Sequence, residues 1–158
     1  MSHPTEPIRQ WDILLVEDNE DDILLTQHAF HRAELPAKLH VARDGLEGLQ
    51  FLRREGPHHV APRPDLILLD LNMPRMDGRQ MLSELKREPE LRTIPVIVLT
   101  TSEAECDIAY AYEAHANAYM TKPVDFKKFA SDIQRFIDFW FGLVKLPMAH
   151  EKKLAGVN

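Results

Sequence analysis

The sequence predicts a doubly wound α/β fold, in which helices cover both faces of a five-stranded parallel sheet. Three runs of four apolar residues, at 13–16, 66–69 and 96–99, are too short for a helix core and too continuous for half-exposed strands. Such runs are typical of strands buried on both faces. A helical pattern follows each predicted strand, and this alternation favours a parallel sheet with right-handed crossovers.

The predicted elements alternate along the chain, and turn and capping residues separate them. The strands are predicted at 13–16, 38–42, 66–69, 96–99 and 118–120, and the helices at about 20–33, 45–55, 78–87, 103–114 and from 126 to beyond 140. Asn19 and Asp125 are predicted to cap the first and last helices. Gly56 is predicted to end the second helix and to open a proline-rich loop at 56–64. Tyr112 in the fourth helix is predicted to contact the core.

The composition fits one globular domain and excludes several classes of protein. The chain has 158 residues, 44% of them hydrophobic and 28% charged, and the domain is predicted at 11–144 between tails at 1–10 and 145–158. No apolar run approaches the roughly 20 residues of a membrane span, and no signal pattern opens the chain, so we expect neither membrane insertion nor export. The single Cys106 fits a reducing compartment, here the cytoplasm. The net charge of −6 argues against direct binding of nucleic acid.

Polar side chains follow four of the predicted strands, at the point where each strand ends. They are Glu17 and Asp18, Asp70, Thr100 and Lys122. Because parallel strands place their carboxyl ends at one edge of the sheet, these groups are expected to converge. Packed carboxylates repel one another, and oxygen ligands without a Cys or His cluster favour Mg²⁺ or Mn²⁺ over zinc. One of the carboxylates can act as a nucleophile toward a phosphoryl group.

Four motifs, in order, carry a resemblance to a known family. They are Leu-Val-Glu-Asp-Asn at 15–19, Leu-Leu-Asp-Leu-Asn-Met-Pro at 68–74, Val-Leu-Thr-Thr at 98–101 and Ala-Tyr-Met-Thr-Lys-Pro at 118–123. With them the sequence resembles the receiver domain of two-component response regulators over about residues 11–141. The resemblance implies a flavodoxin-like (βα)5 fold with strand order 2-1-3-4-5. It also implies a signalling module that accepts a phosphoryl group from a sensor histidine kinase.

The resemblance assigns roles to the acidic residues at the strand ends. It implies that Asp70 is the phosphoacceptor. It further implies that Asp18, Asp70 and the backbone carbonyl of Asn72 ligate Mg²⁺ directly, while Glu17 acts through a bound water. Self-catalysed phosphorylation and dephosphorylation are then the only reactions expected, and the protein is not expected to turn over a metabolite.

The remaining roles concern the response to the phosphoryl group. The resemblance implies that Thr100 hydrogen-bonds a phosphoryl oxygen, that Lys122 pairs with the group, and that Tyr119 is the aromatic residue that changes rotamer. The Lys122–Pro123 peptide bond is expected to be cis, as in similar domains. His115 stands where the family usually has glycine, and because a left-handed turn costs more for His, the local turn is expected to differ.

Two segments point to the partner. The loop at 56–64 and the chain after Trp140 resemble those of stand-alone single-domain regulators that serve phytochrome-type kinases, so a bacteriophytochrome is the expected kinase. Because no further domain is predicted, output is expected through contact with another protein or through phosphate relay.

Two other functions stay open at this point. A phosphatase of the haloacid-dehalogenase type also uses an aspartate on a parallel sheet with Mg²⁺. It needs a second acid two residues after the nucleophile, where this chain has Asn72. The other alternative is a receiver that binds proteins without being phosphorylated, although every chemical position is filled here.

The last helix carries more apolar residues than one buried face accommodates. They are Phe126, Phe129, Ile133, Phe136, Ile137, Trp140 and Phe141, and Phe139, Trp140, Phe141, Leu143 and Val144 together form a dense apolar end. This excess predicts a symmetric homodimer through the fourth helix, the fifth strand and the fifth helix. The alternative is that residues 142–158 fold back and cover the apolar end.

Overall fold

The computed structural model describes residues 10–147, and these form a five-stranded parallel sheet in the order β2-β1-β3-β4-β5. The elements are β1 Trp11–Val16, α1 Glu20–Arg32, β2 Ala37–Ala42, α2 Gly45–Arg53, β3 Leu66–Leu69, α3 Gly78–Arg87, β4 Val96–Thr100, α4 Glu105–Glu113, β5 Ala118–Thr121 and α5 Phe126–Gly142. The predicted strand order is confirmed. The predicted tails at 1–10 and 145–158 lie almost wholly outside the described residues.

The three central strands supply both halves of the core, because alternate residues of a strand point to opposite faces of the sheet. Leu14 and Val16 of β1 face the cluster formed with α2, α3 and α4. Ile13 and Leu15 face the cluster formed with α1 and α5. Each fully buried Leu or Ile side chain contributes about 1.5–3 kcal/mol to the stability of the fold. The sheet is therefore held rigidly between two helical layers, and its carboxyl edge is a fixed platform.

Four of the five α-helices begin with a side-chain cap. Asn19, Asp44, Asp77 and Asp125 each accept a hydrogen bond from a backbone N–H in the first turn of the helix that follows. Such a cap contributes about 1 kcal/mol to the stability of the folded protein. The predicted caps Asn19 and Asp125 are confirmed. Asn19 and Asp125 follow shortly after β1 and β5, so their caps also fix the loops that carry Glu17, Asp18 and Lys122.

The helix ends differ from the sequence prediction in two places. The second helix ends at Arg53 rather than at Gly56, because Arg54 takes the left-handed conformation (φ +57°) and its N–H bonds back to the last turn. The loop that follows contains a short 3₁₀-helix, Gly56–His58. Tyr112 was predicted to contact the core but is half exposed, since the buried face of α4 is narrow and centres on Ala111.

The turn after α4 keeps the left-handed conformation despite the absence of glycine. His115 has φ +70°, so the expectation of a different turn is wrong. The left-handed conformation costs conformational energy for a residue with a Cβ, and backbone hydrogen bonds of the turn, such as Ala116 N–H to Ala111 O (2.9 Å), offset that cost.

The prediction of a cis Lys122–Pro123 bond is also wrong, since no peptide bond between residues 10 and 147 is cis. Trans is the lower-energy form of an X–Pro bond. Within the same residues, no helix is long and apolar enough to cross a membrane.

Candidate functional site

Three carboxylates meet at the carboxyl edge of the sheet, as the sequence predicts. Glu17 and Asp18 follow β1, and Asp70 follows β3. The Asp70 N–H donates to Val16 O (3.0 Å), which holds the ends of these two neighbouring strands together. One oxygen from each of the three side chains lies within 4.8 Å of the others. Glu17 and Asp70 are buried, whereas Asp18 is exposed. The group is therefore open to solvent on one side only.

Burial makes the negative charge of Glu17 costly. Desolvation and the neighbouring Asp70 raise the pKa of Glu17 to about 7, although Lys122 and the N–H of Asn19 oppose the shift. Near neutral pH this carboxyl is held close to the point at which it gains or loses a proton. Additional positive charge at the site favours its ionised form.

Among the described residues, the Lys122 ammonium is the positive charge that already lies against these carboxylates. It forms ion pairs with Glu17, with Asp22 at 3.0 Å and with Asp70 at 3.3 Å. Burial acts to lower the pKa of Lys122, but Asp70, Glu17 and Asp22 together outweigh burial and raise it. The lysine therefore stays charged and ties β5 to the ends of β1 and β3.

The sequence prediction missed Asp22. It lies among three acidic residues in the first turn of α1, and each of them suits the positive end of the helix dipole equally well. Only the side of the helix on which each acid lies could have distinguished Asp22 from Glu20 and Asp21. Thr26 lies one turn further on the same face and is buried, so that face is turned toward the protein.

Thr100 lies at the end of β4 and is completely buried. Its Oγ1 has no hydrogen-bond partner among residues 10–147. Its backbone carbonyl accepts a hydrogen bond from Lys122 N–H (2.7 Å), which joins the two strand ends. An unpaired buried hydroxyl costs about 1–3 kcal/mol, so this atom is suited to an acceptor that arrives from outside.

The loop from β3 to α3 closes tightly over Asp70. Asn72 N–H lies 3.4 Å from Asp70 Oδ1, and Gly78 N–H donates to Leu71 O at 2.9 Å. A Cβ atom on Gly78 would lie only 2.0 Å from the backbone oxygen of Asp70. Glycine is therefore required where α3 begins, and the position of Asn72 relative to Asp70 depends on it.

Tyr119 is half buried and lies at one end of a second polar network. Its hydroxyl donates to Ser102 O (2.9 Å), and burial, the largest influence, raises the pKa of the phenol, so it remains a donor. Ser102 Oγ donates to Asp107 (2.6 Å), which also accepts from Arg79 Nη2 (2.7 Å). Arg79 Nη1 reaches the side chain of Asn72 at 3.4 Å.

This network joins the loop beside Asp70 to the predicted switch residue, and sequence reasoning named only its two ends, Tyr119 and Asn72. Asp107 and Arg79 carry ordinary surface charges on two separate helices, so spacing along the chain gives no signal for their pairing. The helices bring them together because α3 and α4 pack side by side on one face of the sheet.

The donor set fits a hard divalent cation. Glu17, Asp18 and Asp70 offer oxygen atoms only, which Mg²⁺ and Mn²⁺ prefer, and the group contains neither Cys nor His. The single ammonium of Lys122 balances only part of the negative charge of these acids. A doubly charged ion would restore the balance and favour ionised Glu17.

A parallel sheet of order 2-1-3-4-5, with an acidic group, a lysine and a buried threonine at its carboxyl edge, defines the class of receiver domains. The family model for the response regulator receiver domain matches residues 13–134. The chain therefore belongs to the response regulator receiver family.

Relatives of known structure share both the fold and the length. Response regulator Rcp1 of Synechocystis sp. is 44% identical over 137 residues, which cover 87% of this chain and 93% of that protein. A crystal structure of the Mn²⁺-bound form of Rcp1 superposes with a TM-score of 0.84 at 43% identity, covering 87% of this chain and 99% of that one.

Two further solved structures carry phytochrome names. The phosphorylated cyanobacterial phytochrome response regulator RcpA is 43% identical, with a TM-score of 0.86, and the match covers 89% of this chain and all of that one. The bacteriophytochrome response regulator AtBRR is 42% identical, with a TM-score of 0.67 and coverage of 84% and 96%. The protein is thus similar to phytochrome-associated response regulators.

Proposed function

We propose that this protein accepts a phosphoryl group on Asp70 from a sensor histidine kinase and transmits the signal through contact with another protein. The convergence of Glu17, Asp18 and Lys122 on Asp70 carries the proposal. A relative, RcpA, has been obtained in phosphorylated form, which supports the same chemistry here.

In the proposed transfer, an oxygen of Asp70 attacks the phosphorus and forms an acyl phosphate, while the bond from phosphorus to the donor's histidine nitrogen breaks. The nitrogen keeps the bonding electrons and takes up a proton. Asp18, Asp70 and the Asn72 carbonyl would hold Mg²⁺ or Mn²⁺, with Glu17 acting through a water. The metal supplies positive charge that offsets the charge of the transferred group. The Mn²⁺-bound form of Rcp1 supports this assignment.

The response to transfer would begin at Thr100 and Lys122. Thr100 Oγ1 is free to donate to a phosphoryl oxygen, because it has no other partner among residues 10–147. Lys122 already lies 3.3 Å from Asp70 and would pair with the new charge. Movement of Thr100 would leave space into which Tyr119 turns, breaking its bond to Ser102. The switch is then a population shift between two states.

The proposal includes that the protein is not an enzyme acting on a metabolite. A haloacid-dehalogenase-type phosphatase needs an acid at position 72, and the residue there is Asn72, whose side-chain oxygen faces Arg79. A receiver that only binds proteins would have no need of a buried, unpaired threonine hydroxyl beside an acidic group. Both alternatives therefore rank below phosphoryl acceptance.

The kinase is proposed to be of the phytochrome type, on the strength of the likeness to RcpA and AtBRR. Such a pairing would take place in the cytoplasm, where the exposed free thiol of Cys106 stays reduced. The net charge of −6 disfavours direct contact with nucleic acid.

A homodimer through α4, β5 and α5 is also proposed. Tyr112 of α4, Phe139 of α5 and Leu143 just after α5 are 50%, 51% and 73% exposed, and burial of such large apolar groups favours association. The apolar end is smaller than the sequence predicts, because Phe141 packs edge-on against Trp11 and Leu146 returns to the core.

Sedimentation at micromolar concentration tests the dimer. Phe139→Glu combined with Leu143→Glu should yield a monomer, because both side chains are exposed and their loss leaves the core intact. A wild-type protein that sediments as a monomer would contradict the proposal. Phe141 is unsuitable for the test, since its replacement would disturb the fold itself.

Labelling with acetyl phosphate and Mg²⁺, followed by intact mass, tests the main proposal. The wild-type protein should gain one phosphoryl group, and Asp70→Asn should gain none. Asp77→Asn, which removes a charge nearby but outside the acidic group, serves as the matched control and should still be labelled. Full labelling of Asp70→Asn would refute the role of Asp70, and labelling that persists in EDTA would refute the metal requirement.

A further inference from the structure

The Lys122 ammonium is fully occupied before any phosphoryl group arrives. An ammonium has three N–H donors, and here three carboxylates receive them: Glu17, Asp22 and Asp70. Glu17 and Asp70 belong to the acidic group that fits a cation, whereas Asp22 does not. Asp22 therefore reaches the site only through the lysine.

Asp22 is held firmly in this position. Its backbone N–H donates to the cap side chain of Asn19 (3.0 Å), and its carbonyl accepts from Thr26 Oγ1 (2.8 Å). The Asp22 side chain is 23% exposed and the Lys122 side chain is 6% exposed. A carboxylate on a capped helix, facing a buried lysine, keeps its place when the lysine moves.

We infer that Asp22 is a positioning residue that holds the Lys122 ammonium in the unphosphorylated protein and competes with the phosphoryl group for it. The inference rests on the proposed phosphoryl chemistry of Asp70. A phosphoryl group on Asp70 brings new acceptor oxygens and negative charge, so Lys122 must shift a donor toward it. Glu17 lies beside Asp70, but Asp22 approaches from α1, so the contact with Asp22 is the one that is given up.

The ion pair between Lys122 and Asp22 therefore opposes formation of the phosphorylated form. The phosphoryl group on Asp70 draws the Lys122 ammonium away from Asp22, so the ion pair between Lys122 and Asp22 is weakened as the new pairing strengthens. Replacing the Asp22 carboxylate by a neutral group should therefore favour occupation of the site by a phosphoryl-like anion, without any new contact.

Equilibrium binding of beryllofluoride tests the inference, because this anion joins an aspartate carboxylate in the manner of a phosphoryl group. The full chain is titrated at saturating Mg²⁺ and followed by amide NMR shifts. Asp22→Asn should bind about fivefold more tightly than wild type, the size expected for one partly exposed ion pair. Asp22→Ser should behave in the same way, which guards against an effect peculiar to the amide.

Two controls separate positioning from general charge. Asp21→Asn removes the same charge from the neighbouring, exposed position and should leave the affinity unchanged. In a Lys122→Gln background, Asp22→Asn should have no effect, because the lysine through which it acts is gone. An unchanged affinity in Asp22→Asn, an equal gain in Asp21→Asn, or a gain that persists without Lys122 would each overturn the inference. If wild type itself fails to bind beryllofluoride, the proposed function fails instead.

Discussion

Replacing Gly78 by alanine should destabilise the protein and displace the loop that carries Asp70. An ideal Cβ at this position would lie 2.0 Å from the backbone oxygen of Asp70 and 2.8 Å from the Cα of Leu71. Both obstacles are backbone atoms, which cannot turn away as a side chain does. Either the start of α3 or the end of β3 must therefore move.

The magnitude follows from the nature of the obstacle. Overpacking in a close-packed region costs about 1–3 kcal/mol, and a backbone obstacle places Gly78→Ala at about 3 kcal/mol. That loss would lower the folding equilibrium constant by about a hundredfold. The Mg²⁺ affinity should fall as well, because Asn72 lies in the displaced loop and its carbonyl is a proposed ligand.

Two other glycines provide a graded control in urea denaturation. At Gly48 the added Cβ would meet the flexible end of Met81, so Gly48→Ala should cost about 1 kcal/mol. At Gly142 nothing lies within 4 Å, and alanine there should be neutral or slightly stabilising. If the free energy of unfolding of Gly78→Ala lay within about 0.5 kcal/mol of wild type, the account of this loop would be refuted.

Substitutions at Lys122, Arg79 and Arg75 test the charges and the backbone conformation around the site. Lys122→Ala leaves its carboxylates facing one another, so it should lose about 3 kcal/mol of unfolding free energy without metal, and Mg²⁺ should restore part of the loss. It should still bind Mg²⁺ but lose the phosphorylation-dependent change in the NMR shifts of Tyr119; a wild-type change would contradict the role of the lysine. Arg79→Ala should alter the Tyr119 ring resonances while costing less than about 1 kcal/mol, whereas the exposed Arg87→Ala on the same helix should alter neither. Arg75 has φ +61° and pairs with the buried carboxylate of Asp44. Both Arg75→Gly and Arg75→Ala lose this ion pair, but only glycine relieves the backbone, so Arg75→Gly should be about 1 kcal/mol more stable than Arg75→Ala in urea denaturation. Equal stabilities would show that the backbone there is unstrained.

The sequence predicted the sheet and most of the site because the two are linked by topology. A run such as 66–69, apolar throughout, fits only a strand covered on both faces. The residue that follows such a strand must then lie at the carboxyl edge. Glu17, Asp70, Thr100 and Lys122 could therefore be placed together without knowledge of any side-chain contact.

What the sequence did not predict depends on contacts between separate helices or on competition between equivalent residues. Asp22 was one of three acids that suit a helix start, and only its contact with Lys122 distinguishes it. Arg54 takes the left-handed position before Gly56 is reached, because the closing hydrogen bonds form two residues earlier. Phe141 was assigned to an exposed patch, yet it packs between Trp11 and Phe30.

The most direct test of the central claim is chemical mapping of the phosphorylated residue. Treating the acetyl phosphate-labelled protein with borohydride reduces an acyl phosphate to the alcohol, so the modified aspartate becomes homoserine. Peptide sequencing by mass spectrometry should find homoserine at position 70 in wild type, and none in protein labelled in the presence of EDTA. Homoserine at position 18, or a reduced glutamate at position 17, with Asp70 intact would contradict the account.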